Sequence, residues 1–90
     1  MELDTQLVHL GRPPSGPVNT PVYRASTILF DTLEEFDRAA GHGRHALTYG
    51  RYGTPTTFRL EEALAQLEQA HAAVLLPSGL AAISTTLQAL

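Results

Sequence analysis

The sequence predicts an α/β chain in which an extended leading half precedes a helix, a buried strand and a second helix. Three observations carry this. Five of the six prolines and six of the seven glycines lie between Met1 and Thr57, where long apolar periodicities are scarce, so that half is mostly extended or turning backbone. Beyond it, Leu60, Leu64 and Leu67, and then Leu80, Ile83, Leu87 and Leu90, recur at the three-and-four spacing of a helix face. Between the two stripes, Ala72-Ala73-Val74-Leu75-Leu76 is a short apolar run stopped by Pro77, the pattern of a strand covered on both faces as in a parallel sheet.

Composition narrows the functional classes. Ninety residues hold at most one small domain with a limited core. Six basic against nine acidic residues give a net charge of −3, which argues against a nucleic-acid footprint or a polybasic membrane anchor. No run approaches the ~20 apolar residues of a spanning helix. The start Met1-Glu2-Leu3-Asp4 has neither the basic nor the apolar part of an export signal. A soluble, cytoplasmic chain is expected. Cysteine is absent, so thiolate chemistry and disulfides are excluded. The basic residues are all arginine (Arg12, Arg24, Arg38, Arg44, Arg51 and Arg59), so no side-chain primary amine is available either.

Taken in order, Gly11 to Pro17 is a cluster of breakers, and Val18 to Phe30 reads as irregular or short strand. Asp31 offers an N-cap with Glu34 three positions on, which predicts a helix over 32–40 with Leu33, Phe36 and Ala40 on one face and Gly41 as its stop. Gly41 to His45 is a loop, as is the tyrosine- and glycine-rich stretch from Leu47 to Thr57. Pro55-Thr56-Thr57 opens an amphipathic helix over about 57–70, with Glu61, Glu62, Gln66 and Glu68 off its leucine stripe. Ser78 is the N-cap of the last helix, whose apolar stripe is expected in the core. No stop signal precedes Leu90, so the chain reads as cut from a longer one. A complete α+β minidomain, with further strands hidden in the first half, is the alternative.

Two constellations bear on chemistry. At Pro77-Ser78-Gly79-Leu80-Ala81-Ala82 a strand ends and a helix opens, leaving the N–H groups of Gly79, Leu80 and Ala81 at the positive end of the helix, where a phosphate dianion binds well. Gly79 lets the anion approach. The plainer reading is that Ser78 only caps the helix. In Tyr49-Gly50-Arg51-Tyr52-Gly53-Thr54-Pro55-Thr56, an extended backbone directs Tyr49 and Arg51 to one side, so that a phenol and a forked guanidinium converge on one phosphate, with Gly50 and Gly53 keeping the backbone thin for close packing. Here the plainer reading is a surface loop with half-buried tyrosines. His9, His42, His45 and His71 lack a second pair at ligand spacing and read as solvated rather than metal-binding. Glu34-Glu35 and Glu61-Glu62 read as cap and exposed-face charges.

With Tyr49-Gly50-Arg51, Gly53 to Thr56, Leu67-Glu68 and Pro77 to Ala82 in this order, the chain resembles the start of the Cys/Met-metabolism family of pyridoxal-phosphate enzymes. The segment Val18 to Thr27 is similar to the family's N-terminal arm. Within the family the likeness is to the branch of bacterial cystathionine β-lyases. Synthases, γ-lyases and sulfhydrylases commonly carry serine and asparagine where Gly50 and Thr54 stand here.

The resemblance implies the N-terminal part of a fold-type-I, aminotransferase-like architecture. Residues 1–55 would be an arm contacting a neighbouring subunit, and residues 56–90 the start of the large cofactor-binding α/β domain. The cofactor implied is pyridoxal 5′-phosphate. Tyr49 and Arg51 would bind the phosphate held by the adjacent protomer, and Gly79 and Leu80 the phosphate of their own, giving shared active sites in a homo-oligomer, by family a homotetramer. The implied reaction is a carbon–sulfur elimination that takes cystathionine to homocysteine, pyruvate and ammonia in methionine biosynthesis and transsulfuration. No catalytic residue is assigned, because the Schiff-base lysine is absent from this chain. Other members of the family, and a non-catalytic anion-binding or oligomerisation remnant, remain as alternatives.

Overall fold

The computed structural model describes residues 2–41, 43 and 45–90. His42 of the histidine set, Arg44 of the arginine set and that part of the expected Gly41–His45 loop lie outside them. The described residues form four α-helices: α1 (Leu3–His9), α2 (Leu33–Ala40), α3 (Pro55–Leu67) and α4 (Gly79–Ala89), with a single 3-10 turn at Gly50–Tyr52.

Helix α1 falls where the sequence predicts turning or extended chain. It is only seven residues long, with Asp4 in its first turn, His9 in its last and no side-chain cap, so two turns leave little periodicity to read. Its residues Gln6 and His9, with the C-cap Leu10, share a shallow cleft with Arg59, Glu62 and Gln66 of α3.

Helix α2 begins one residue later than expected. Thr32, not Asp31, is the N-cap: its Oγ1 accepts the Glu35 N–H at 3.1 Å, and the Glu35 carboxylate accepts the Asp31 N–H at 3.2 Å. The cap thus forms one position later than the Asp31/Glu34 pair, with Thr32 accepting from Glu35 and the Glu35 carboxylate reaching back past Thr32 to the Asp31 N–H. Phe30 meets Phe36 edge to face at 5.5 Å, fixing the entry of the chain into the helix.

Pro55 is the first helical residue of α3, where its missing N–H costs nothing. The helix ends at Leu67, three residues short of expectation. Ala70 N–H bonds to Ala65 O and Gln69 N–H to Gln66 O while Gln69 adopts φ 53°. This is a Schellman ending built on glutamine rather than glycine, so the usual sequence mark is missing.

The predicted strand is not present. Residues 72–76 take no strand assignment, and the only β-bridge among the described residues is an isolated antiparallel one between Thr27 and Tyr49. A strand requires a ladder with a neighbouring strand, and the described residues contain no strand. Instead the Leu75 N–H bonds to the Glu61 carboxylate at 2.9 Å. The described residues of the first half hold no sheet, which the α+β minidomain alternative requires.

The core is small. Phe58 is the one buried apolar side chain among the described residues, joined by buried Thr54 and Glu61. Gly53, at φ 131°, lies against the Phe58 ring, which would overlap a Cβ added there, and the His45 ring stacks on Phe58 at 4.8 Å. The α4 stripe, expected in the core, is open to solvent: Leu80 is 77% exposed, Ile83 61% and Leu87 66%. An apolar helix face is buried only by a facing element, and none of the described elements packs on it. The radius of gyration, 15.4 Å, exceeds the roughly 12 Å of a compact domain of this length.

The arm is fastened at two points. Thr56 Oγ1 accepts the Tyr23 N–H at 2.9 Å and donates to Pro21 O at 2.7 Å. Further on, the Gly50 N–H donates to Ser26 O at 2.7 Å. A Cβ added at Gly50 would overlap the Ala25 carbonyl, so only glycine admits the arm this closely.

Candidate anion-binding site

Ser78 is the N-cap of α4, as its sequence predicts. With extended backbone angles, φ −160° and ψ 163°, its Oγ accepts the Ala81 N–H at 3.0 Å, and its carbonyl accepts the Ala82 N–H at 3.0 Å. The Ala81 amide, expected free, is therefore spent on the cap. The N–H groups of Gly79 and Leu80 remain, with no acceptor among the described residues. A Cβ added at Gly79 would meet nothing within 4 Å. Glycine is thus not demanded there by any contact within this chain, and the space beside the two amides is open to an incoming oxyanion.

The second constellation forms by a different geometry from the one the sequence predicts. Tyr49 is extended and bridged to Thr27, but Gly50–Tyr52 closes into a 3-10 turn, with the Tyr52 N–H on Tyr49 O at 2.9 Å. Alternation along a strand therefore does not bring Tyr49 and Arg51 together. The turn does: the Arg51 guanidinium carbon lies 5.6 Å from the centre of the Tyr49 ring and 5.7 Å from that of Tyr52, and the two rings meet edge to face at 5.7 Å. Cation–π contact holds the guanidinium while leaving its N–H fork unpaired by any carboxylate among the described residues. Tyr52 is the partner that sequence reasoning left without a role. Its spacing of three from Tyr49 is the signal for a tight turn rather than a strand.

Glu61 was expected on an exposed face, yet it is 7% exposed. Its Oε1 lies 3.2 Å from His45 Nε2 and its Oε2 accepts the Leu75 N–H. The other His45 nitrogen, Nδ1, is 3.4 Å from Glu62 Oε1. Each ring nitrogen of His45 thus faces a carboxylate. The available signal was Phe58, three residues earlier on the same face of α3. Among the described residues, no group of three or more side chains is placed to hold a metal ion, and no helix is long and apolar enough to cross a membrane.

Two free amides at an open helix start, and a guanidinium presented between two phenols, are donor sets suited to a phosphate dianion. A profile of the Cys/Met metabolism PLP-dependent enzymes matches residues 4–90, and the chain belongs to that family. Pyridoxal phosphate is the family's cofactor. The chain is 41% identical over 92 residues to the cystathionine β-lyase of Salmonella typhimurium strain LT2 and 40% identical over 92 residues to that of Escherichia coli K12. It is also 39% identical over 87 residues to the L-methionine γ-lyase of Fusobacterium nucleatum subsp. polymorphum. These alignments cover 98%, 98% and 94% of this chain, which spans 23%, 23% and 22% of the respective relatives.

Proposed function

We propose that this chain is the N-terminal part of a carbon–sulfur lyase, a cystathionine β-lyase that releases homocysteine, pyruvate and ammonia from cystathionine. Residues 1–55 serve as the arm that reaches a neighbouring subunit, and residues 56–90 open the large domain of a fold-type-I enzyme. Gly79 and Leu80 donate their amides to the phosphate of the chain's own cofactor. Tyr49 and Arg51 bind the phosphate of the neighbour's. The assembly is a cytoplasmic homotetramer with shared sites.

The observation that carries the reading is the start of α4, where two amides have no acceptor among the described residues and Gly79 leaves room for an oxyanion. When bound, the cofactor supplies an electron sink for bond breaking at the substrate's α-carbon. The work of these residues is to grip and orient its phosphate, the Arg51 fork through paired N–H groups and Tyr49 through its hydroxyl. The preference for β-lyase over γ-lyase rests on Gly50 and Thr54.

The test is a chimaera in which these 90 residues replace the segment they match in the Salmonella enzyme. Cleavage of cystathionine in preference to methionine is expected, and Arg51→Ala should weaken pyridoxal-phosphate retention about tenfold or more, the loss of a charge-assisted hydrogen bond. Unchanged retention removes the assignment of Arg51. The chain has no lysine, so by itself it should acquire no borohydride-fixed cofactor on a side-chain amine.

A further inference from the structure

We propose that Glu61 is a positioning residue that fixes the two phosphate-gripping stretches relative to one another. Its carboxylate is buried, and each oxygen serves a different stretch. Oε1 holds His45, four residues before Tyr49, and Oε2 holds the Leu75 amide, four residues before Gly79. The His45 ring is further clamped by stacking on Phe58 and by Glu62, so the hold on the Tyr49 stretch is directional as well as electrostatic. On the other side, the segment from Leu75 to α4 has no strand ladder to locate it, which leaves the bond from Glu61 as the polar tether nearest the helix start.

The inference deepens the proposed function and rests on its assignment of Tyr49, Arg51, Gly79 and Leu80 to phosphate. In that assignment the Tyr49 stretch serves the neighbour's cofactor and the Gly79 stretch serves the chain's own. Glu61 therefore joins two active sites through one side chain of a rigid helix. A carboxylate suits the task because it accepts at both oxygens without a rotamer change. Its burial makes the loss of either partner costly.

The test uses the chimaera with the Salmonella enzyme and reads the pyridoxal-phosphate dissociation constant. Glu61→Ala is expected to weaken binding about tenfold, while Glu61→Gln, which keeps an acceptor for Leu75 and a polar partner for His45, stays within about threefold of the parent. A double-mutant cycle separates positioning from general stabilisation. If Glu61 acts through the Tyr49–Arg51 turn, Glu61→Ala adds less to Arg51→Ala than it costs in the parent, whereas fully multiplicative losses overturn the inference. If Glu61→Ala fails to fold, His45→Ala carries the test, with a loss of several-fold expected and parental affinity overturning it. Loss of binding in Arg51→Ala with parental affinity in Glu61→Ala refutes the positioning role alone. Parental affinity in Arg51→Ala refutes the underlying assignment.

Discussion

Replacing Gly50 by alanine tests how the arm is seated against the Tyr49–Tyr52 turn. The added methyl would overlap the carbonyl of Ala25 and crowd the Ser26 nitrogen. Because the obstacle is backbone and not the end of a flexible side chain, the arm itself has to move. Two interactions go with it: the 2.7 Å bond from the Gly50 N–H to Ser26 O and the Thr27–Tyr49 bridge. One net hydrogen bond contributes about 1 kcal/mol, and forcing a methyl into a filled space costs about 1–3 kcal/mol. The closed seat should therefore be destabilised by about 2–4 kcal/mol. The fastening at Thr56 is untouched, so the loss should be confined to residues 24–27 and 49–51. Amide hydrogen exchange followed by NMR is the assay. The residue-50 amide should exchange at least about thirtyfold faster in the alanine variant, since each 1.4 kcal/mol is a factor of ten, while the helical amides of α3 keep their rates. An equally protected amide in both proteins, or an unprotected one in the parent, would refute the reasoning.

Three further outcomes follow from the geometry. Phe58→Ala removes the one buried apolar side chain among the described residues and should cost about 3 kcal/mol or more, seen as collapse of the thermal transition; an unchanged midpoint would show that Phe58 is not the anchor. Ser78→Ala removes the acceptor for the Ala81 N–H and should cost about 1 kcal/mol, with faster exchange confined to the first turn of α4. Gln69→Gly relieves a left-handed residue at the end of α3 and should raise stability by up to about 1 kcal/mol, measured by denaturant midpoint.

Features set by neighbours in sequence were legible, and those set by distant partners were not. Pro55 and Ser78 declared the starts of α3 and α4, because a helix start is a local problem of unsatisfied N–H groups. Thr32 was missed as a cap by one position because Asp31-Thr32 offers two adjacent acceptors, and only the fold decides which takes extended angles. The apolar run at 72–76 was read as a strand from composition, but a strand exists only with a partner, and the partner lies outside what composition records. Burial of Glu61 was illegible for the same reason: nothing in the local pattern places His45 and Leu75 beside it. At the candidate site, Gly79 and Leu80 were legible from the turn and Ala81 was misjudged, since a capping serine consumes the amide three residues on. The pairing of Tyr49 with Arg51 was anticipated through the wrong geometry. The spacing suited either a strand or a tight turn, and the close approach of Ala25 and Ser26 to Gly50 decided between them.

The pair of hydrogen bonds at Thr56 has a consequence for how the leading residues are routed. A single oxygen both accepts the Tyr23 backbone N–H and donates its own hydrogen to the Pro21 carbonyl, so removing that one hydroxyl removes both links. Serine could inherit this duty and valine, though nearly the same shape, could not. At Pro21 and Tyr23 the leader's course past the helix thus depends on one hydroxyl, and changing that side chain frees this stretch while the seat at Gly50 stays.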